Sequence, residues 1–343
     1  MKALSNNKKH GNIAFFIPHS GCNNQCVFCN QRTISGHVNE PTTAEISRTL
    51  TDVASLALPK DTEIAFFGGS FTGIGEEKMT SYLSAAYEFI ESGVFSGIRI
   101  STRPDFVDEH ILSVLKRYGV TAIELGAQSM DDDVLLASHR GHTADDVKKA
   151  SEMIKATGFS LGLQMMTGLP KSCEAKELYT AESFIKLSPD TVRIYPTVVL
   201  RGTALHQMMR SGEYTPQSVE DAVTVCKKLL MRFNEANVKV IRLGLHADES
   251  LTSGDEIVAG AFHPALRELV EGELMYDKLS SHLALQQCNG KKLAITVAKG
   301  FTSKAIGQGK RNTERLKELY SLKEIKVKES DALCGFDFTI EIK

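Results

Sequence analysis

The sequence contains no hydrophobic stretch that approaches the roughly 18 consecutive apolar residues of a membrane-spanning helix. Residues 1–11 are polar and basic, and no apolar segment of the kind found in secretory signals follows them. Low-complexity tracts and repeats at a fixed spacing of about 20–50 residues are also lacking. We therefore expect a cytoplasmic protein without membrane attachment.

A large excess of charge of one sign is missing as well. Lys and Arg number 40 and Asp and Glu number 42, so the formal net charge is −2 and any nucleic-acid surface has to be a local patch. The 343 residues are 42% hydrophobic and 24% charged, which indicates a globular protein with a sizeable core. At about 150 residues per domain this length suits two domains, or a barrel with a small appendage.

The sequence has seven cysteines, an odd number, and no secretion signal. A disulfide framework is therefore not expected, and the thiols are candidates for metal ligands, nucleophiles or core residues.

Short apolar runs alternate with amphipathic stretches in the first two thirds of the chain. The strands predicted from these runs are 13–17, 63–67, 97–101, 122–125, 160–164, 191–195 and 238–243. The predicted helices between them are 45–56, 76–91, 107–118, 144–156, 176–187 and 218–235. Repeated βα units predict an α/β fold with a parallel sheet, either open or curled into a barrel, whose functional groups lie at the carboxyl ends of the strands.

The composition changes near position 250. Beyond it we predict a helix over 262–287, a strand over 293–297, a helix ending at 320 and strands over 324–328 and 336–342. We therefore expect one domain over 1–250 and a smaller α+β module over 251–343.

The most specific pattern is a C-x3-C-x2-C motif formed by Cys22, Cys26 and Cys29, in the loop 19–31 after the first strand. Three thiols this close can hold one inorganic centre, and an iron-sulfur cluster with four irons and three protein ligands keeps one position open for a substrate. Two alternatives stay open. The loop could hold structural zinc completed by His19 or His37, or the cysteines could belong to the core.

With Phe28 inside it, this motif resembles the signature of radical S-adenosylmethionine (SAM) enzymes. Further motifs follow the later strands where that family has them. They are Phe67-Gly68-Gly69-Ser70, Ser101-Thr102-Arg103-Pro104-Asp105, Glu124-Leu125-Gly126-Ala127-Gln128-Ser129 and Met166-Thr167-Gly168-Leu169-Pro170. The resemblance implies a partial (β/α)6-type barrel, a 4Fe-4S cluster held by the three cysteines, and SAM bound at the fourth iron. It also implies reductive cleavage of SAM to a 5'-deoxyadenosyl radical.

The same resemblance implies roles for particular residues. Gly68, Gly69 and Ser70 resemble the segment that receives the methionine amino group of SAM. Gln128 and Arg140 are similar to residues that contact the ribose and the carboxylate in coproporphyrinogen-type members. Gln164 stands where those members place a ribose-binding aspartate, and Ser101 is a further candidate for the same contact.

Over residues 10–270 the sequence resembles the radical SAM half of the Elongator catalytic subunit. The shared motifs include those at 101–105 and 124–129, together with 140–143 and 193–203. Two departures stand out. Ser101 replaces a glutamate of that family, and no acetyl-CoA loop is recognisable after position 250. The complete wobble-uridine carboxymethylation is therefore not expected from this chain alone.

Other residues near late strands are weaker candidates. Tyr195, Arg201, Arg242 and His246 could line the substrate side of the pocket or be ordinary rim residues. Met165 and Met166 are expected in the core. Plain packing roles are expected for four dispersed cysteines, namely Cys173, Cys226, Cys288 and Cys334.

The segment 290–328 carries eleven Lys and Arg residues against three Glu residues. Such a patch suits phosphate binding, and the order strand, helix, Gly307-Gln308-Gly309-Lys310 turn, helix, strand resembles a degenerate KH RNA-binding core. The candidate RNA-binding residues are Lys304, Lys310, Arg311 and Arg315. The alternative is a basic surface on a small lid domain.

The leading hypothesis is a radical SAM enzyme that modifies an RNA, specifically tRNA, with electrons from a donor such as flavodoxin or ferredoxin. One alternative keeps the radical mechanism but assigns a small metabolite such as a tetrapyrrole. Another is a non-catalytic RNA-binding protein whose cysteines hold a structural metal.

Overall fold

A computed structural model describes residues 11–17, 21–22, 26–30, 39–245 and 256–343. Within these ranges the largest sheet has seven parallel strands, in the spatial order β1 (Asn12–Ile17), β2 (Glu63–Gly68), β3 (Ile98–Thr102), β4 (Val120–Gln128), β5 (Ser160–Thr167), β6 (Thr191–Pro196) and β8 (Lys239–Leu243). A separate antiparallel pair consists of β7 (Val198–Leu200) and β9 (Ile257–Gly260).

Helices connect the strands of this sheet. They are α1 (Thr43–Ala54), α2 (Glu76–Glu91), α3 (Glu109–Arg117), α4 (Asp132–Ala137), α5 (Ala144–Ala156), α6 (Glu174–Leu187), α7 (Ala204–Ser211) and α8 (Val219–Glu235). Short polar side chains set several of the helix starts. Thr42 and Thr143 form capping boxes at α1 and α5, and Asp108 and Asp131 accept backbone hydrogen bonds at α3 and α4.

The strand order explains the shape of the sheet. Each strand pairs with the next strand of the sheet along the chain, without a reversal of direction. Because βα crossovers are right-handed, a winding that always advances in one direction places the helices on one face. The other face is then buried by curling, as in barrels. The predicted α/β partial barrel is confirmed, with seven strands in the curled sheet.

The predicted strands and helices of the sheet agree with the observed ones to within a few residues at their ends. Four elements were not predicted. The strands β7 and β9 are short and pair across a long stretch of chain, and the helices α4 and α7 have only six and eight residues. Elements this short carry too few positions for a periodic pattern.

The second group of elements forms an α+β module, as expected. Its sheet has the order β11 (Glu324–Ser330), β10 (Lys292–Ala298) and β12 (Phe338–Ile342), with β11 parallel and β12 antiparallel to β10. Its helices are α9 (Leu266–Leu283), α10 (Thr302–Ile306) and α11 (Arg311–Tyr320). Leu279, Ile295, Val297 and Leu316 are fully buried at its centre.

The division of the chain into compact units differs from a single boundary at position 250. One unit comprises the described residues up to Gln217 together with those of 232–262, and the other comprises 218–231 and 263–343. The strand β9 thus belongs to the barrel unit because it pairs with β7. The first part of α8 belongs to the smaller unit. Among the described residues, no helix combines the length and apolar composition that a membrane crossing requires.

Aromatic side chains fill the core beneath β2. Phe66 is fully buried, and its ring centroid lies 4.8 Å from that of Phe71 and 5.8 Å from that of Phe15. We expect Phe66→Ala to lower the free energy of unfolding by about 3–5 kcal/mol, since it leaves a cavity among these rings. Chemical denaturation measures this loss.

The matched control is Leu56→Ala, because Leu56 is 62% exposed and lies outside the helices. It should change the free energy of unfolding by no more than ~0.5 kcal/mol. Equal losses for the two variants would contradict the placement of Phe66 in the core.

Candidate active site

A cavity of about 830 Å³ lies at the carboxyl ends of the strands of the barrel unit. Every residue predicted as a cluster ligand or SAM contact lines it. These residues are Cys22, Cys26, Phe28, Cys29, Gly68, Gly69, Ser70, Ser101, Gln128, Arg140 and Gln164. Strands far apart in sequence thus contribute side chains to one cavity, because parallel strands end at the same rim.

The described part of the cysteine loop is attached to the barrel through Val27. This side chain is 1% exposed and packs with Val199 and Leu205. The Val27 amide donates to the Ser138 carbonyl at 3.2 Å, and the Leu205 amide donates to the Val27 carbonyl at 2.7 Å. These contacts hold Cys26 and Cys29 on either side of Val27 and Phe28, at the edge of the cavity.

The donor set of the cysteine loop suits an iron-sulfur cluster, because it offers three thiols at one cavity. None of the seven cysteines, all of them described, forms a disulfide. No three Cys, His, Asp or Glu side chains among the described residues are grouped closely enough to hold one metal ion. A 4Fe-4S cluster takes each thiolate on a different iron. His19 and His37, considered for zinc, lie outside the described residues.

Two guanidinium groups lie near the thiols. Desolvation raises the pKa of the Cys22 thiol, whereas the positive charges of Arg103 and Arg140 act in the opposite direction. Arg140 Nη1 donates to Cys26 Sγ at 3.0 Å. The two guanidinium groups thus oppose, but do not outweigh, the effect of burial on the pKa of Cys22.

Arg140 connects the cysteine loop to β4. It is 6% exposed, and besides Cys26 it bonds the Gly126 carbonyl through Nη2. Its Nε has no hydrogen-bond partner among the described residues. A side chain at position 126 would begin 3.5 Å from Arg140 Nη2 and 3.0 Å from Gln128 Nε2, so glycine leaves room for both.

Gln128 carries two signs of a ligand-binding residue. Its φ is 66°, a left-handed conformation that costs a non-glycine residue free energy. Its Oε1 is buried and has no partner among the described residues, although buried polar atoms are nearly always bonded. A bound ligand with a hydrogen-bond donor would satisfy this oxygen.

The glycine pair after β2 lies against β1. Gly68 has a φ of 111°, and a side chain there would begin 2.8 Å from the Ile17 carbonyl oxygen. The Gly69 amide donates to that oxygen at 2.8 Å. Only glycine suits position 68, because a Cβ would strain the backbone and push the strands apart.

Ser70 is held within the wall of the cavity. Its hydroxyl lies 2.8 Å from Thr102 Oγ1 and accepts from the Arg103 amide at 3.2 Å. Through these bonds Ser70 connects the segment after β2 to the end of β3.

Arg103 lies within the motif at 101–105, which by itself predicts no role for it. Arg103 is 4% exposed, lines the cavity, and forms a two-point ion pair with Asp105, with N–O distances of 2.9 and 2.8 Å. Its Nη1 has no partner among the described residues. In the sequence, this ion pair is indicated by the Arg-x-Asp spacing around Pro104.

Gln164 and Ser101 face each other across the sheet. Gln164 Nε2 lies 3.4 Å from Ser101 Oγ and 2.9 Å from a carboxylate oxygen of the buried Glu124. Both Gln164 and Ser101 line the cavity, but Glu124 does not. Glu124 lies behind them in the barrel interior.

The weaker candidates that the structure describes are not part of the cavity lining. Tyr195, Arg201 and Arg242 are absent from it, and burial raises the pKa of Tyr195. His246 lies outside the described residues. Met165 is fully buried, as expected, but the predicted packing role of Cys173 and Cys334 is wrong because both side chains are exposed.

Comparison with protein families decides the relationship. A model described as the radical SAM superfamily matches residues 16–182, and one described as the radical SAM C-terminal domain matches residues 189–276. The chain belongs to the radical SAM superfamily. The predicted resemblance is confirmed, and the protein is a radical SAM enzyme.

Curated relatives of this radical SAM protein share part of it. The tRNA uridine(34) acetyltransferase of Methanocaldococcus infernus is 36% identical over 132 residues, which are 37% of this chain and 24% of that protein. Elongator complex protein 3 of Homo sapiens is 35% identical over 137 residues, 39% of this chain and 25% of that protein. The similarity thus spans about a quarter of these relatives.

Solved structures share the fold at low identity. An archaeal Elp3 from Methanocaldococcus infernus, with an N-terminal deletion, has a TM-score of 0.63 at 22% identity, covering 85% of this chain and 66% of that one. Streptococcus suis SuiB bound to S-adenosylmethionine has a TM-score of 0.51 at 13% identity, covering 68% and 50%. Both support the radical SAM barrel.

The predicted RNA-binding residues of the smaller unit differ in availability. Lys304 Nζ lies 2.9 Å from Glu271 Oε2, and Arg315 Nη1 lies 2.6 Å from Glu273 Oε1. Arg311 is 61% exposed and 4.0 Å from Glu273, and Lys310 is exposed. Because both glutamates belong to α9, the net charge of segment 290–328 overstates the positive charge that this patch presents.

The imidazole of His142 lies behind the site, 6% exposed, with Nε2 3.2 Å from the Ala127 carbonyl. Burial and the charge of Arg140 lower its pKa from 6.5 to about 4. The unfolded chain therefore binds a proton below about pH 6.5 that the folded protein rejects, so this group reduces stability as pH falls toward 4.

We expect the free energy of unfolding of the wild type to fall between pH 7 and pH 5 by about 2 kcal/mol more than that of His142→Asn. Denaturant titrations at the two pH values measure the difference. An equal pH dependence in the two proteins would show that His142 titrates normally.

Proposed function

We propose that the cavity binds a 4Fe-4S cluster and SAM, and that the enzyme acts on tRNA. The observation that carries this proposal is the convergence of all eleven predicted cofactor residues on one cavity at the rim of the barrel. The cavity has the chemistry of a cofactor site, since it is lined by three thiols and by three buried polar atoms without partners among the described residues, namely Arg103 Nη1, Gln128 Oε1 and Arg140 Nε.

In this proposal Cys22, Cys26 and Cys29 hold the cluster. When bound and reduced by a donor such as flavodoxin or ferredoxin, the cluster supplies the electron that cleaves SAM to methionine and a 5'-deoxyadenosyl radical. Arg140 supports the thiolates through its bond to Cys26 and retains Nε for the carboxylate of SAM. Arg103, which is ion-paired with Asp105, retains Nη1 as a further donor without a partner among the described residues.

The ribose of SAM is assigned to the wall that carries Gln128, Gln164 and Ser101. Its hydroxyls are donors, and the unpartnered Oε1 of Gln128 is an acceptor. Gln164 and Ser101 extend this polar wall from the neighbouring strands. Both side chains are neutral, so they bind the hydroxyls without adding negative charge near the cluster.

Cys26→Ala should lose the iron and acid-labile sulfide of the reconstituted protein and its formation of 5'-deoxyadenosine from SAM under dithionite. The matched control, Cys173→Ala, removes an exposed thiol outside the cavity and should retain both. If the reconstituted wild type forms no 5'-deoxyadenosine, or Cys26→Ala retains full activity, the proposed cofactor chemistry is wrong.

The choice of tRNA rests on two supports. Curated relatives that match the radical SAM part of this chain are named for action on tRNA uridine 34. The smaller unit also concentrates basic side chains, of which Lys310 and Arg311 are the most accessible of the four predicted RNA ligands. A small metabolite such as a tetrapyrrole is the competing substrate class.

We expect the Lys310→Ala, Arg311→Ala double variant to weaken tRNA binding about tenfold and to flatten its salt dependence, because two phosphate contacts are lost. Lys304→Ala should cost less, since its charge is already paired with Glu271. Filter binding or gel shift over a range of salt concentrations measures these effects.

The matched control for charge is Lys148→Ala, Lys149→Ala, two exposed lysines on α5. It should bind tRNA like the wild type. If tRNA binding changes neither with salt concentration nor with any of these substitutions, the small metabolite becomes the favoured substrate class.

A further inference from the structure

A fully buried carboxylate lies directly behind the proposed SAM cavity. Glu124 is 1% exposed and projects from the middle of β4, where it pairs in register with Ser101 on β3. Its oxygens accept from Arg193 Nε at 2.5 Å, Arg193 Nη2 at 2.8 Å and Arg99 Nη1 at 3.3 Å. These ion pairs offset the cost of burying the charge.

The same carboxylate accepts a further hydrogen bond from the cavity wall. Gln164 Nε2 lies 2.9 Å from Glu124 Oε2 and 3.4 Å from Ser101 Oγ. A carboxylate can only accept hydrogen bonds, so it selects the NH2 end of the amide and excludes the carbonyl end. Both Gln164 hydrogens thus have acceptors among the barrel residues, and its Oε1 is left for the cavity.

This arrangement fixes the polarity of the wall. With the amide held this way, Gln164 presents an acceptor to the cavity that Gln128 also lines, where Gln128 Oε1 has no partner among the described residues. If the amide rotated by 180°, it would present two donors and could no longer accept from a hydroxyl.

We propose that Glu124 is a positioning residue, which orients the Gln164 amide so that its oxygen accepts a hydrogen bond from a ribose hydroxyl of SAM. This inference rests on the proposed function, because it assigns a second layer of residues to the same site. Glu124 itself does not touch SAM. It acts through Gln164, and Arg99 and Arg193 keep its carboxylate in place.

The test is a double-mutant cycle on the reconstituted protein, with the dissociation constant for SAM measured by calorimetry. Glu124→Gln can donate to the Gln164 oxygen and permits the rotated amide. It should weaken SAM binding about fivefold, the value of one hydrogen bond. Gln164→Ala should weaken binding to a similar extent, and the double variant should be no weaker than Gln164→Ala alone.

A control variant and a kinetic measurement distinguish a positioning role of Glu124 from a purely structural one. Glu63→Gln alters another buried carboxylate that shares Arg99, with Arg99 Nε 2.8 Å from Glu63 Oε2, but that carboxylate does not contact Gln164. It should reduce thermal stability without changing SAM affinity. In kinetics, Glu124→Gln should raise KM for SAM while kcat for 5'-deoxyadenosine formation at saturating SAM stays near the wild-type value.

Glu124→Asp provides a second variant if Glu124→Gln fails to fold. It keeps the charge but withdraws it from Gln164, and it should also raise the dissociation constant. Two results would overturn this inference but leave the proposed function standing. One is that the effects of Glu124→Gln and Gln164→Ala on SAM affinity are additive. The other is that Glu63→Gln loses as much SAM affinity as Glu124→Gln. A wild type that binds no SAM would overturn the proposed function and this inference with it.

Discussion

A parallel sheet that winds in one direction only is the constraint on which the site depends. Because each strand is followed by its neighbour in space, the carboxyl ends of β1 to β6 meet along one rim. Residues separated by more than a hundred positions, such as Cys26 and Arg140, therefore come within hydrogen-bond distance. The same winding covers one face with helices and leaves an interior that has to be filled.

That interior is filled partly with charge rather than with apolar side chains alone. Glu63 on β2, Arg99 on β3, Glu124 on β4 and Arg193 on β6 alternate in sign, and each is ion-paired with the next. Such a network is costly unless each member is paired, and here the pairing is close to complete. The network is bonded to Gln164 through Glu124, and Gln164 lines the cavity. The buried charges are thus connected by a hydrogen bond to the polar wall of the cavity.

The cavity combines charged and neutral polar groups. Arg103 and Arg140 act through their charge on the Cys22 thiol, and amide and hydroxyl groups line the same cavity. Guanidinium groups suit a carboxylate, whereas neutral amides suit hydroxyls. Gln128 and Arg140 come to the same region, since a side chain at position 126 would begin 3.0 Å from Gln128 Nε2 and 3.5 Å from Arg140 Nη2.

Much of this protein could be predicted from its sequence. The alternation of apolar runs and amphipathic stretches predicted the parallel sheet, because burial on both faces and helical periodicity are local properties of a chain. The cysteine spacing and the motifs after each strand likewise indicated which residues would meet. The short elements β7 and α4 escaped prediction because they have too few residues to show a periodic pattern.

The tertiary structure decided which partners these residues have. The sequence alone determined that Arg140, Arg315 and Gln164 are polar groups near functional motifs. Only the folded chain pairs Arg140 with Cys26, neutralises Arg315 with Glu273, and places Glu124 behind Gln164. The reason is physical: a charge or an amide acts through the groups within a few ångströms of it, and those neighbours come from other strands and helices.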